Sequence, residues 1–190
     1  AYCTADAFDD YISDEFASTE AALRLGALNA AERAINEHCK RSFAVAGSAT
    51  AKLYVPSGRA VLRIHDCTTV TAVTESGTAV SSTAYQKEPT TTAWSGLAKP
   101  YEQLRRLGST WSQIGYTDEA TISVTATWGW AAVPDEVAEA TKILGKDILQ
   151  QRRTSGNLIA AGDFGGVVRI NTYVKQLLNP LRRVEAFGIA

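Results

Sequence analysis

The stretch TWGWAAVPDEVAEATKILGKDILQQRRTSG, Thr127 to Gly156, decides how this chain is read. Its first residues close a β-rich segment on a Trp-Gly-Trp turn. Pro134 then opens a helix, because a proline at the first helical position gives up an N–H that has no intrahelical acceptor there. Asp135 and Glu136 suit the positive end of that helix's dipole. Val137, Ala140, Leu144 and Ile148 recur at three- and four-residue steps and define one apolar face. The helix runs to Arg152-Arg153 and stops before Gly156. Two indole rings, Trp128 and Trp130, and the Arg152-Arg153 pair therefore fall at opposite ends of a short rod. They are candidate contacts to another subunit or partner.

Upstream, residues 17–41 predict a helix, with Ala21, Leu25, Leu28, Ala31, Ile35 and Cys39 forming a stripe. Ser18 is its expected N-cap, and Thr4–Tyr11 suggests a short helical lead. The chemistry changes at Phe43. From there to Trp128 the sequence is rich in Thr, Val, Ser and Tyr, with strands expected at 51–55, 60–64, 69–75, 78–85 and 120–128. Ser57-Gly58 and Ser76-Gly77 read as hairpin turns. Residues 87–117 lack clear patterning and read as an exposed excursion.

Downstream, residues 154–166 hold four glycines and predict a loop, and 167–179 a further helix stopped by Pro180. The architecture expected is α+β. A small bundle of three to four helices (residues 1–43 and 129–180) carries a β-rich insertion (44–128), with an extended C-terminal tail (181–190) after it.

Composition bounds the function. At 190 residues with 45% hydrophobic and 21% charged residues, the chain is large enough for a real core and is not a disordered sequence. The net charge of −1 conceals a gradient. Residues 1–41 carry eight acids and four bases, net −4, whereas residues 142–190 carry eight bases and three acids, net +5. A near-neutral total disfavours a dedicated nucleic-acid binder. Three cysteines suit a reducing compartment better than a disulfide framework. The acidic start AYCTADAFDD is no signal peptide, and no apolar run approaches the roughly 18 residues of a membrane span. A soluble protein with no membrane partner is expected.

Candidate chemistry is sparse. His38-Cys39 and His65-Asp66-Cys67 are the only His/Cys groupings. Adjacent residues on a helix diverge by about 100°, so the spacing is poor for a shared zinc ion. There is no G-x-S-x-G, no S-x-x-K in a suitable setting, and GDFGG at 162–166 lacks a phosphate-loop lysine. No enzyme activity and no cofactor or metal are expected. The remaining signals are contact residues: four tryptophans and the pairs Arg105-Arg106, Arg152-Arg153 and Arg182-Arg183. A nucleic-acid-binding accessory protein is the alternative that those pairs leave open.

With these pieces in order, the chain resembles the head–tail connector (adaptor) proteins of tailed bacteriophages, which form the ring below the portal. The resemblance rests on Glu37–Phe43 (EHCKRSF) ending the first long helix, then Leu53-Tyr54 and Pro100-Tyr101 in the β-rich segment. It continues through Thr127–Ala140 (TWGWAAVPDEVAEA), Gln150–Gly156 (QQRRTSG), a glycine-rich loop and Leu177–Arg183 (LLNPLRR). It covers nearly the whole chain. It implies a structural virion protein in the neck, assembled in the host cytoplasm as a homo-oligomeric ring of about twelve copies. The ring would join the portal to a downstream tail or head-completion protein. It would also extend the channel for double-stranded DNA without sequence-specific binding. The family's portal-docking segment maps onto Asn179–Ala190, where Leu181, Val184 and Phe187 would anchor and Arg182 and Arg183 would pair with partner acids.

Overall fold

Pro134 does open a helix. Its carbonyl accepts from the N–H groups of Val137 and Ala138, both at 3.0 Å, and helix α3 follows over Asp135–Thr154. The computed structural model describes residues 2–12, 16, 21–55, 59–90, 93–94, 97–112, 121–154 and 170–183, with only the backbone described at 93–94, 97–98 and 152–154. The chain is α+β and divides into two compact units. One comprises Ala1–Phe43 and Val133–Ala190, and the other Ala44–Ala132.

The first unit is helical. Helix α1 spans Ala5–Ile12, α2 spans Ala21–Cys39, and α4 spans Thr172–Leu178 after α3. Val137, Ala140, Leu144 and Ile148 are buried as their spacing predicted, joined by Leu149 and by Thr141, whose hydroxyl donates to the Val137 carbonyl at 2.7 Å. Gly145 lets α1 approach α3. A Cβ there would stand 2.9 Å from the buried Phe8 ring.

Helix α2 departs from its predicted stripe at one end. Leu28, Ala31, Ile35 and Cys39 are buried, but Ala21 and Leu25 are exposed, Leu25 by 50%. One turn before Leu28 the inward row carries Arg24, which reaches Asp9 of α1 at 2.9 Å. An ion pair thus continues the face that the apolar residues began. Ser18 lies outside the described residues.

At its other end α2 closes with a Schellman geometry, the Arg41 N–H donating to the Asn36 carbonyl at 3.3 Å. Lys40 takes the left-handed position there, at φ 54°, where glycine is usual. Tyr2 clamps the exit. Its hydroxyl donates to Asn36 Oδ1 (2.6 Å) and accepts from the Phe43 N–H (2.8 Å), and its ring meets Phe43 edge-on at 5.9 Å.

Helix α4 is shorter than the predicted 167–179, of which 167–169 lie outside the described residues. Asn171 caps it by accepting from the Val174 N–H at 2.8 Å, while its amide donates to Asp147 of α3 at 3.1 Å. Pro180 falls inside a 3-10 turn, Asn179–Leu181, that ends the element.

The second unit is a six-stranded antiparallel sheet. Its strands are β1 (Thr50–Tyr54), β2 (Val61–Glu75), β3 (Thr78–Ala79), β4 (Tyr85–Glu88), β7 (Tyr101–Arg106) and β8 (Ile122–Trp128). A separate ribbon pairs β5 (Ala93–Trp94) with β6 (Leu97–Ala98). The strand order is β1-β8-β2-β7-β4, with β3 folded back on β2.

Residues 60–64 and 69–75 are not two strands but parts of one. Register shifts near Cys67 and Val70 let β2 serve β7 with its first half and β8 with its second. Next, β1 and β2 form no hairpin, because β8 lies between them and pairs Leu53 with Ser123; Ser57-Gly58 itself lies outside the described residues. Finally, residues 87–117 are not a mere excursion. They include β7, the partner of both β2 and β4.

Strand β7 escaped the pattern because only Leu104 of its six residues is buried, while its arginines are neutralised from neighbouring segments. Arg105 pairs with Glu88, and Arg106 reaches Glu75 at 3.6 Å and lies over the Trp111 ring at 5.1 Å. The Ser76-Gly77 turn does form, with φ of 48° and 79° as a tight hairpin requires. Of the expected strand at 78–85 only two short pieces remain, β3 and the start of β4. A 3-10 turn, Ser82–Ala84, separates them. The core of the unit gathers Leu62, Ile64, Val73, Leu104, Trp111, Ile122, Val124 and Ala126.

Candidate functional site

The Trp-Gly-Trp turn is the first candidate surface, and its two rings have different fates. After Trp128 the chain leaves the ladder at Gly129, at φ 116°, with its N–H donating to the Asp66 carbonyl at 2.7 Å. Trp130 then bonds alongside residues 44–46: its N–H donates to the Ala44 carbonyl (2.9 Å) and its carbonyl accepts from the Ala46 N–H (2.8 Å). Its ring is 1% exposed, and the indole N–H donates to Asp66 Oδ2 at 3.3 Å. A ring so enclosed holds the fold, so the structure offers Trp130 no contact surface.

Trp128 is half-buried and belongs to a cluster on the sheet unit. Its ring stands 6.1 Å from those of Tyr54 and His65, and the Lys52 ammonium lies over it at 4.7 Å. Its indole N–H donates to the Thr50 carbonyl at 2.8 Å. The Tyr54 hydroxyl shares a 2.8 Å hydrogen bond with His65 Nδ1 and accepts from the His65 N–H at 3.1 Å. That hydroxyl serves β2 where β8 has already turned away. The cluster brings together β1, β2 and β8, a convergence no local motif announces.

The second surface is the C-terminal end of the helical unit. Leu181 is buried, and the Arg183 N–H donates to the Cys39 carbonyl at 2.9 Å, so the chain is tied down through Arg183. Leu181 is thus a core residue of this unit rather than part of an extended tail. Its apolar side chain finds cover once the 3-10 turn brings it inward. Arg182 is exposed. Its charge adds to the burial that pulls the His38 imidazole below its ordinary pKa, with Lys175 acting the same way. Val184 and Phe187 lie outside the described residues. Arg152 and Arg153 stand in the last turn of α3.

The other candidates settle into structural roles. The Arg105-Arg106 pair is engaged within the sheet, where Glu88 is held below the usual carboxylate range mainly by the hydrogen bond from Arg105. Cys39 belongs to the helical unit and Cys67 to the sheet unit. Burial pushes their thiols up to about 11 and about 12, respectively. Among the described residues no group of three or more His, Cys, Asp or Glu side chains could hold a metal ion. Among them too, no helix is long and apolar enough to cross a membrane.

What the sequence did not reveal are two sheet edges, β1 and β4, that pair on one side only among the described residues, and the apolar side chains on one of them. Leu53 is 68% exposed and Val55 63%, on and just beyond edge strand β1. Their alternation with Lys52 and Tyr54 signals a two-faced strand. Only the strand order shows that β1 lies at the end of the sheet.

This two-unit α+β fold is found in known particles. Over 98% of this chain and 92% of the other, it is similar to a chain in the neck of an empty gene transfer agent (GTA) particle, computed with C6 symmetry, at a TM-score of 0.61 and 20% identity. It is likewise similar to a chain in the virion of a native gene transfer agent particle, at a TM-score of 0.58 and 23% identity, with the same coverage. No protein-family model and no curated sequence matches the chain.

Proposed function

We propose that this chain is a structural neck protein of a phage-like particle, a head-to-tail connector whose copies form a ring. The observation that carries the reading is the likeness of nearly the whole chain to chains of gene transfer agent particles, one of them from a neck. The sequence resemblance to phage connectors, drawn from ordered motifs, agrees with it. One neck was computed with C6 symmetry, and a ring of about twelve copies is compatible with such an axis.

In this reading the partners are further copies of the chain, a portal protein and a downstream tail or head-completion protein. Double-stranded DNA passes through the channel without being read. The protein resides in the virion neck after assembly in the host cytoplasm, and it performs no catalysis. Portal docking falls to the segment that follows Leu181. Arg182 supplies an exposed charge there, and Val184 and Phe187 are the apolar anchors.

The test is native mass spectrometry and negative-stain imaging of the full chain, alone and with the portal protein of its own particle. Rings in either arm support the reading. Monomers in both arms overturn it. A duplex-binding assay at low salt adds a second check, since a dedicated DNA-binding protein would bind with a steep salt dependence. A connector would show weak binding at most.

A further inference from the structure

We propose that the outer edge of β1 receives the outer edge of β4 from a second copy of this chain, so that the sheets of neighbouring copies join. The inference rests on the ring reading above and names the contact that would build the ring.

Strands β1 and β4 stand at opposite ends of the order β1-β8-β2-β7-β4. Among the described residues no strand pairs with the outer side of either. An edge strand presents a row of backbone donors and acceptors that another strand can complete, and proteins that stay monomeric usually block such edges with outward charge, proline or a bulge. Here the edge charges are drawn back onto the chain's own sheet. Lys52 lies over Trp128 at 4.7 Å and Lys87 over Tyr101 at 4.9 Å. Glu88 is held by Arg105 and by the Gln103 amide at 2.6 Å.

The large side chains left exposed on and just beyond β1 are apolar and stand on one face of the sheet beside that edge. Leu53 and Val55 are the two most exposed large hydrophobic residues among those described, on and just beyond the strand. Thr50 and Ala51 beside them carry no charge and are also exposed.

The occupant follows from the two ends taken together. The edges differ in length by one residue, five in β1 and four in β4. They are different surfaces of one chain, so pairing them is a head-to-tail contact. Such a contact repeats from copy to copy and closes into a ring when the rotation permits, whereas pairing β1 with β1 would stop at a dimer. Backbone hydrogen bonds would supply the register, and the partner would cover Leu53 and Val55.

The experiment uses the full chain, alone and with its portal protein. Leu53→Lys/Val55→Lys places charge on the open edge at exposed positions, leaving the thermal transition and near-ultraviolet circular dichroism unchanged. The expected result is a fall in ring population of at least about tenfold, which corresponds to about 1.4 kcal/mol. In parallel, a Leu53→Cys chain and a Gln86→Cys chain are mixed and treated with a short bismaleimide. The inference expects Leu53→Cys to join Gln86→Cys within the rings. Rings that form normally with the double-lysine variant, or cross-links only between two Leu53→Cys chains, overturn this contact while leaving the ring reading intact. Absence of any ring from the unmodified chain in both arms overturns both.

Discussion

Gly129 faces the Ala44 carbonyl so closely that a Cβ would stand 2.5 Å from the oxygen. The same residue is at φ 116°, a conformation an L side chain rarely adopts. The middle residue of the Trp-Gly-Trp turn is therefore imposed by two independent constraints, and no side-chain adjustment relieves the first, because the atoms met belong to the backbone of Ala44 and Ala46.

Gly129→Ala is expected to destabilise the protein by about 3 kcal/mol, from strain and displaced backbone hydrogen bonds. Urea denaturation followed by tryptophan fluorescence measures it. A loss under about 1 kcal/mol would mean that residues 44–46 can move away freely.

Gly145 is constrained by a side chain instead. A Cβ would come within 2.9 Å of the Phe8 ring, so Gly145→Ala should cost about 1–3 kcal/mol by overpacking. Removing ring atoms makes room. In a double-mutant cycle Phe8→Leu should recover part of that loss, and strict additivity of the two changes would refute the contact.

Lys40 carries the opposite expectation. It holds the left-handed position of the α2 Schellman turn at φ 54°. Lys40→Gly should stabilise by about 0.5–1 kcal/mol by relieving the Cβ cost. The readout is the midpoint of chemical unfolding, and a lower midpoint contradicts the assignment.

The buried thiols give a pH dependence of definite sign. Cys39 and Cys67 are raised from the ordinary 9.0 to about 11 and about 12 by burial. An unfolded thiol ionises first, so the unfolded chain binds fewer protons between those values and stability falls as pH rises. The contribution is complete below about pH 9 and is lost toward pH 11–12. Each thiol contributes a slope of up to about 1.4 kcal/mol per pH unit. Cys67→Ala should flatten the fall of the melting temperature above pH 9 relative to the parent. An unchanged slope would assign the alkaline loss to other groups.

Legibility in the sequence followed the locality of the interactions. Helix α3 could be read residue by residue, since Pro134, Asp135, Glu136 and the Val137–Ile148 row are all local signals. The alternation of β8 was equally plain, and Ile122, Val124 and Ala126 are buried. The stripe of α2 failed at Leu25 because a partner from α1, Asp9, decides that its neighbour Arg24 faces inward. Strand β7 was missed because the charges that hide its pattern are neutralised from β2 and β4, segments 15 or more residues away.

Trp128 and Trp130 make the same point at the candidate surfaces. Two residues apart, they are equivalent in any local reading, yet one ring joins an accessible cluster and the other is sealed against Asp66.

From sequence alone came the α+β class, the central helix with its start, the Ser76-Gly77 turn and a resemblance to phage connectors. The helix and the turn rest on residues within one or two turns of each other, where propensity, dipole and periodicity act. The class and the resemblance rest on the order of such local motifs along the chain. Tertiary structure alone decided that β8 separates β1 from β2, that β2 is one long strand, that Leu181 is buried, and which strands end the sheet. Strand order and burial depend on contacts between residues distant along the chain, and their energies are settled only when the whole sheet or bundle closes.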